Sequence, residues 1–183
     1  MGSSTIPAAS GGKTRFFLSL TSGTSWTVPA GVTYVNVCLI GAGGGGAGGG
    51  NTSTGGGAGG AGGATTFTGA TSASGGGGAQ FQVTNGATIG NWQTPASLPA
   101  NTGSGGDSVA TFAATASGGT VYGVAANKGS NGGIMWSSLG TTPGASITYA
   151  IGAGGSAGAA GTPAGAPTGA AGSSGRIDVE YWA

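Results

Sequence analysis

Acid–base chemistry has few places to occur in this chain. Of 183 residues only Asp107, Asp178 and Glu180 are acidic, and none is histidine. Asp178 and Glu180 are two apart in RIDVEYW, a spacing that puts both carboxylates on one face of a strand, with no evident third group or cleft beside them. The single cysteine, Cys38, lies inside the apolar run VNVCLI, where a thiol packs as a small hydrophobe. One cysteine allows no intrachain disulfide, and without a Cys/His cluster there is no zinc site. Three carboxylates are too few for a dedicated calcium site. No enzyme activity, cofactor or resident metal is expected.

The cations are as sparse. Lys13, Arg15, Lys128 and Arg176 are scattered along the chain and leave a net charge of +1, so no basic patch can release many counterions from a polynucleotide. Nucleic acid is not an expected partner. The polar N-terminal run lacks the apolar stretch of a signal peptide, and no run approaches the ~20 apolar residues of a membrane span. Neither secretory export nor membrane insertion is expected.

Recognition chemistry is better represented. Residues 85–101 read NGATIGNWQTPASLPAN, placing Trp92 between the amides of Asn91 and Gln93. An aromatic ring flanked by amides suits sugar stacking or an anchor on a protein surface. A second group surrounds the Gly-rich turns between Tyr122 and Trp136, with Asn127, Lys128 and Asn131. Lys128, the cation in mid-chain, could pair with a surface phosphate or carboxylate. The other aromatics have plainer readings. Phe16, Phe17, Phe67, Phe81 and Phe112 are expected in the core, as is Trp136 in MWSSL; Trp26 and Trp182 are expected to cap the ends of a sheet.

The elements that must hold these residues are unusual. The chain carries 47 glycines and 7 prolines, a content typical of disordered sequence, and each glycine costs about 0.5–1 kcal/mol more than alanine to fix. Two features argue for order. Segments such as TRFFLSL, TYVNVCLI, AQFQVT, SITYAIG and RIDVEYW carry β-branched and aromatic residues, several with period-two alternation. Between them the glycines recur every third residue, at 43, 46 and 49, at 56, 59 and 62, and at 152, 155, 158 and 161.

Period three is that of the extended polyproline II helix, which makes no hydrogen bonds within itself. Its backbone groups must bond to neighbouring segments, and glycine lets those segments approach. Packed polyglycine II helices satisfy both demands. The four-residue gaps from Gly161 to Gly165 and Gly165 to Gly169, which contain Pro163 and Pro167, read as turns between such helices. Collagen would need an unbroken repeat and more proline. A dinucleotide cradle after Ile40 would need a following helix and a partner acid about 20 residues on. The expected fold is mainly β with polyglycine II helices, a glycine-rich sandwich with little or no α-helix. Residues 1–21 form an N-terminal docking segment and first strand, and residues 22–183 form a single glycine-rich domain.

The run SGTSWTVPAGVTYVNVCLIGAGGGGAGGG is similar to the opening of glycine-rich tip domains on phage tail fibres, where a TVPAGV, strand, GAGGGG element recurs. GIMWSSLGTTPGASITYAIGAGGSAG resembles their TPG, strand, VGAGG element, and SSGRIDVEYW resembles their closing strand. The resemblance extends to T-even-like long tail fibre adhesins of the polyglycine sandwich type. It implies a virion protein at the tail or fibre tip whose loops bind a bacterial outer-membrane protein or surface polysaccharide. The N-terminal segment to Arg15 is too short for a large virion-attachment domain, so docking onto another phage fibre or baseplate protein through it, or a homotrimer built through the first strand, is expected. The alternative is a virion component with the same fold that recognises no host, such as a head decoration, head fibre or baseplate protein.

Overall fold

The computed structural model describes residues 12–48, 56–79, 129–161 and 168–183. Seven strands form two antiparallel sheets: β1 (Arg15–Leu20), β2 (Ser25–Thr27), β3 (Tyr34–Ile40), β4 (Thr66–Phe67), β5 (Ile134–Gly140), β6 (Ser146–Ala150) and β7 (Arg176–Trp182). One sheet has the order β1-β7-β3-β5 and the other β2-β6-β4. No α-helix occurs among the described residues.

Alternation in the sequence decides what each strand buries. Val35, Val37 and Leu39 of β3 and Ile177 and Val179 of β7 face the second sheet and are fully or almost fully buried. There they meet Phe67 of β4 and Tyr149 of β6. The rings of Phe67 and Tyr149 stack at 6.5 Å, and the Tyr149 hydroxyl donates to the Ser22 carbonyl at 2.7 Å. The connection that carries the chain from β5 in one sheet to β6 in the other turns at Thr142-Pro143-Gly144-Ala145, where the Ala145 N–H donates to the Thr142 carbonyl. Proline presets the first central position, and Gly144, at φ 78°, supplies the positive φ of a type II turn.

Four assignments are corrected, Phe17 and Trp136 by this parity, Trp26 by its ring contacts and Phe16 by its place at the sheet margin. Because Leu18 and Leu20 point inward, Phe17 must point outward, and it is 70% exposed. Met135 and Leu139 of β5 pack on the core, which sends Trp136 to the opposite face, 69% exposed. Trp26 does not cap a sheet end. It bridges the sheets, tilted against Phe67 at 6.4 Å and Tyr181 at 5.8 Å. Phe16 lies on the inner side at the sheet margin, stacked on Tyr181 and 42% exposed. Phe67 is core, as expected. Phe81, Phe112 and all of AQFQVT after its alanine lie outside the described residues.

Beyond the sandwich, six extended glycine tracts run side by side: residues 41–48, 56–64, 74–79, 129–133, 152–161 and 168–175. Tract 41–48 is buried throughout and lies at the centre. Its amides at Ala42, Gly45 and Gly48 donate to Gly63, Gly60 and Gly57; those at Gly43 and Gly46 donate to Ser173 and Ala170; those at Gly41 and Gly44 donate to Gly133 and Ser130. Its carbonyls at Ala42 and Gly45 accept from Gly76 and Ala79, and those at Gly43 and Gly46 accept from Gly155 and Gly158. Each neighbour is addressed every third residue, so one tract bonds to all five others.

The outer tracts continue the pattern among themselves. Gly57, Gly60 and Gly63 donate to Ala159, Ser156 and Ala153, and Gly169, Gly172 and Gly175 donate to Gly158, Gly155 and Gly152. Backbone groups that have no partner within their own tract thus find one in a neighbouring tract. Side chains are excluded by the spacing: a Cβ built on Gly45 would overlap the Ser156 carbonyl, and one on Gly41 the Ser74 carbonyl. A net ~0.5–1.5 kcal/mol per hydrogen bond is comparable to the extra entropy of fixing a glycine, which is how so glycine-rich a chain can hold a fixed backbone.

Thr65 sits where the sandwich meets the lattice and is fully buried. Its backbone pairs with Ala73 in both directions. Its hydroxyl donates to the Ile40 carbonyl at 2.8 Å and accepts from the Gly152 N–H at 3.1 Å.

Candidate functional site

Two places could meet a partner. The first is the end of the lattice remote from the sheets. Strand β3 leads into tract 41–48, tract 56–64 returns to β4, tract 129–133 returns to β5, and tract 168–175 returns to β7. The outgoing tracts therefore finish together, as the bonds Gly48 to Gly57, Gly57 to Ala159, Gly59 to Ala79 and Ala79 to Gly45 demonstrate. The described segments end at Gly48, Ala79 and Gly161 and resume at Gly56, Gly129 and Thr168. All three connections, residues 49–55, 80–128 and 162–167, thus attach at one end.

Six of the seven expected contact residues, Asn91, Trp92, Gln93, Tyr122, Asn127 and Lys128, belong to the 80–128 connection and lie outside the described residues. The proline gaps after Gly161 lie outside them as well. Asn131 is described. It is half-buried within tract 129–133, next to Ser130, whose backbone bonds to Gly44 and Gly77, so it belongs to the lattice rather than to a turn.

The second place is the outer face of the four-stranded sheet. Registers across β1, β7, β3 and β5 align Phe17, Glu180, Asn36 and Ser138 in one row and Ser19, Asp178, Cys38 and Trp136 in the next. In the second row the small Cys38 lies between the larger Asp178 and Trp136, and this face holds a groove of about 480 Å³. The sequence reading finds no cleft beside Asp178 and Glu180. The sheet supplies one, because the groove is made by cross-strand neighbours far apart in sequence.

Each carboxylate in the groove is held. Arg15 is ion-paired with Glu180, which also accepts from the Asn36 amide at 3.1 Å; Asn36 in turn accepts from the Ser138 hydroxyl at 2.8 Å. Asp178 accepts from Ser19 and pairs with Arg176 at 3.1 Å. The Arg15 guanidinium also lies 4.3 Å from the Phe17 ring centroid and 5.9 Å from that of Trp182. Both arginine side chains are 56% exposed and keep spare N–H donors facing solvent. Cys38 is buried at the floor. Burial, and then the Asp178 carboxylate, push its thiol above the ordinary value, against a smaller opposing pull from Arg176. A thiol so placed stays protonated and unreactive at neutral pH.

Among the described residues no group of three or more His, Cys, Asp or Glu side chains could hold a metal. The groove can offer hydrogen-bond donors and aromatic faces to a partner. Sequence reasoning misses it because it expects the groove's aromatics, Phe17 and Trp136, in the core. The signal was present in the alternation of RFFLSL, which cannot bury both phenylalanines on one face.

A two-sheet sandwich continued into a hydrogen-bonded glycine lattice defines the class: an all-β, glycine-rich module whose framework carries almost no charge. The chain belongs to the family described as the glycine-rich domain, whose model matches residues 19–181. No curated protein and no solved structure matches it.

Proposed function

We propose that this protein is a tail-fibre tip adhesin of a phage, binding a bacterial outer-membrane protein or surface polysaccharide through the connections at the far end of its glycine lattice. The observation that carries this reading is the gathering of all three connections at one end. A rigid scaffold that presents loops on one side is how binding surfaces are commonly built, and the longest connection here carries Trp92 with its flanking amides.

Polarity supports it further. Arg15 pairs with Trp182, whereas Leu20 pairs with Ile177 beside the lattice, so the chain enters β1 at the pole opposite the connections. Docking on another fibre or baseplate protein at that pole would leave the connections facing a host. The phage assignment rests on the resemblance of the TVPAGV-strand-GAGGGG and closing-strand elements to fibre tip domains.

The test is binding of purified protein to intact bacteria, to porin-deficient cells and to cells stripped of surface polysaccharide, with Trp92→Ala and a variant whose residues 80–128 are replaced by a short Gly-Ser linker. The expected result is saturable binding that one class of stripped cell loses, weakened at least tenfold by Trp92→Ala and abolished by the replacement. Absence of binding to any host, with the protein located on the capsid or along the tail, would favour a virion component that recognises no receptor.

A further inference from the structure

We infer that β1 is a pairing edge for a second copy of this chain, joined about a two-fold axis through Phe17. The seam is one of the free protein, because the two-fold directs the lattice ends of the two copies to opposite poles, and its test is separate from host binding.

β1 is the outer strand of its sheet, bonded only to β7 among the described strands. Thr14 and Ala183 exchange both backbone hydrogen bonds. In an antiparallel ladder such pairs alternate, so residues 14, 16, 18 and 20 bond to β7, while the N–H and C=O of Arg15, Phe17 and Ser19 point away from it. The devices that blunt an edge are sparse here: RFFLSL contains no proline or lysine, and its one charge, Arg15, sits at the start. Both faces at the margin are apolar and uncovered, with Phe16 42% and Phe17 70% exposed.

Symmetry then limits the register. Two antiparallel copies of β1 keep their inner faces together only if paired residue numbers have an even sum. Centring the axis on Phe17 meets that condition. It pairs Phe17 with Phe17 and Arg15 with Ser19, so all three outward-facing residues of each copy find partners. On the inner side Phe16 meets Leu18, extending both cores across the seam. On the outer side the two exposed Phe17 rings become a cross-strand aromatic pair. Charge agrees as well: Arg15 faces the second copy's Ser19, whose hydroxyl is bonded to Asp178, and a guanidinium has donors to spare after its bond to Glu180. The result is a continuous eight-stranded sheet with the two grooves side by side.

Paired residues at such a position have Cα atoms ~5.5 Å apart, within the ~4.4–6.8 Å range of a disulfide. In a Cys38→Ser background, Phe17→Cys is therefore expected to form an intermolecular disulfide on mild oxidation. Ser19→Cys alone is not, whereas Arg15→Cys combined with Ser19→Cys is. Sedimentation of the unmodified chain should give twice its 16.6 kDa mass. Phe17→Pro removes an outward N–H without touching a bond to β7; it should raise the dimer dissociation constant at least tenfold while keeping the β-sheet circular dichroism. Equal cross-linking by Ser19→Cys and Phe17→Cys, a monomer at ~100 µM, or a trimer would overturn the inference. A trimer would point instead to β1 pairing with the β5 edge of the next copy, a head-to-tail contact that closes as a ring.

Discussion

Replacing Thr65 by valine tests whether the seam between sandwich and lattice is held by its hydroxyl. The change conserves shape and removes one oxygen from a fully buried side chain. Two groups lose a partner: the Gly152 N–H, which donates to that oxygen at 3.1 Å, and the Ile40 carbonyl, which accepts from it at 2.8 Å. Stranding a buried backbone donor costs about 1–3 kcal/mol, and losing one ordinary hydrogen bond about 0.5–1.5. The expected destabilisation is therefore about 3 kcal/mol, or roughly 6–12 °C in Tm for a chain of this size. Urea unfolding of the wild type, Thr65→Val and Thr65→Ser would measure it, with the slope held constant between variants. Serine keeps the oxygen and loses a methyl group, about 1 kcal/mol, so it should fall between the other two. If valine matches or exceeds the wild type, or serine is the worse of the pair, the hydroxyl does not hold the seam.

Two other outcomes follow from the backbone and the thiol. Gly45→Ala should cost about 3 kcal/mol or more, because its Cβ meets the Ser156 carbonyl, whereas Gly140→Ala, with nothing within 4 Å of the added methyl, should be neutral or stabilising by up to about 1 kcal/mol; thermal unfolding of both separates a lattice position from an open one. Burial and Asp178 raise the Cys38 thiol, so the folded chain keeps that proton to higher pH than the unfolded chain. Stability should accordingly fall as pH rises above the ordinary thiol value, about 8.5, with a slope of at most ~1.4 kcal/mol per pH unit. Cys38→Ala should lack this contribution in unfolding measured from pH 7 to 10.

Strands β1, β3, β6 and β7 and the tracts at 41–48, 56–64 and 152–161 were legible because each rests on a local period, whereas the short β2 and β4, and β5 with its tract 129–133, carry none clear enough to read. VNVCLI alternates, and Val35, Val37 and Leu39 face inward accordingly; the glycines at 43 and 46 repeat every three, and their bonds do the same. What could not be read was which face of a strand each large side chain takes when both faces carry apolar residues. RFFLSL offers phenylalanines to both sides, and only pairing with β7 against the Phe67 side of the core decides that Phe17 goes out. Trp136 was misplaced for the same reason, in a strand whose inward residues are Met135 and Leu139. The groove was invisible because Asn36, Cys38, Trp136 and Asp178 are joined by register, a property of the assembled sheet. The common end of the connections was likewise hidden until the order of outgoing and returning tracts was known.

The place of β7 has a consequence for how the protein is made. β1 touches its sheet only through β7, the last strand, and β3 takes β7 as one of its two neighbours. Tract 41–48 likewise waits for tracts 129–133, 152–161 and 168–175. At a synthesis rate of about 5–20 residues per second, the N-terminal half spends seconds exposed with its central tract translated but lacking most of its bonding partners. Few intermediate lengths of chain can therefore be stable, and folding should be a late, largely all-at-once event. The low content of large apolar side chains in the waiting tracts gives a nascent chain little with which to aggregate during that interval.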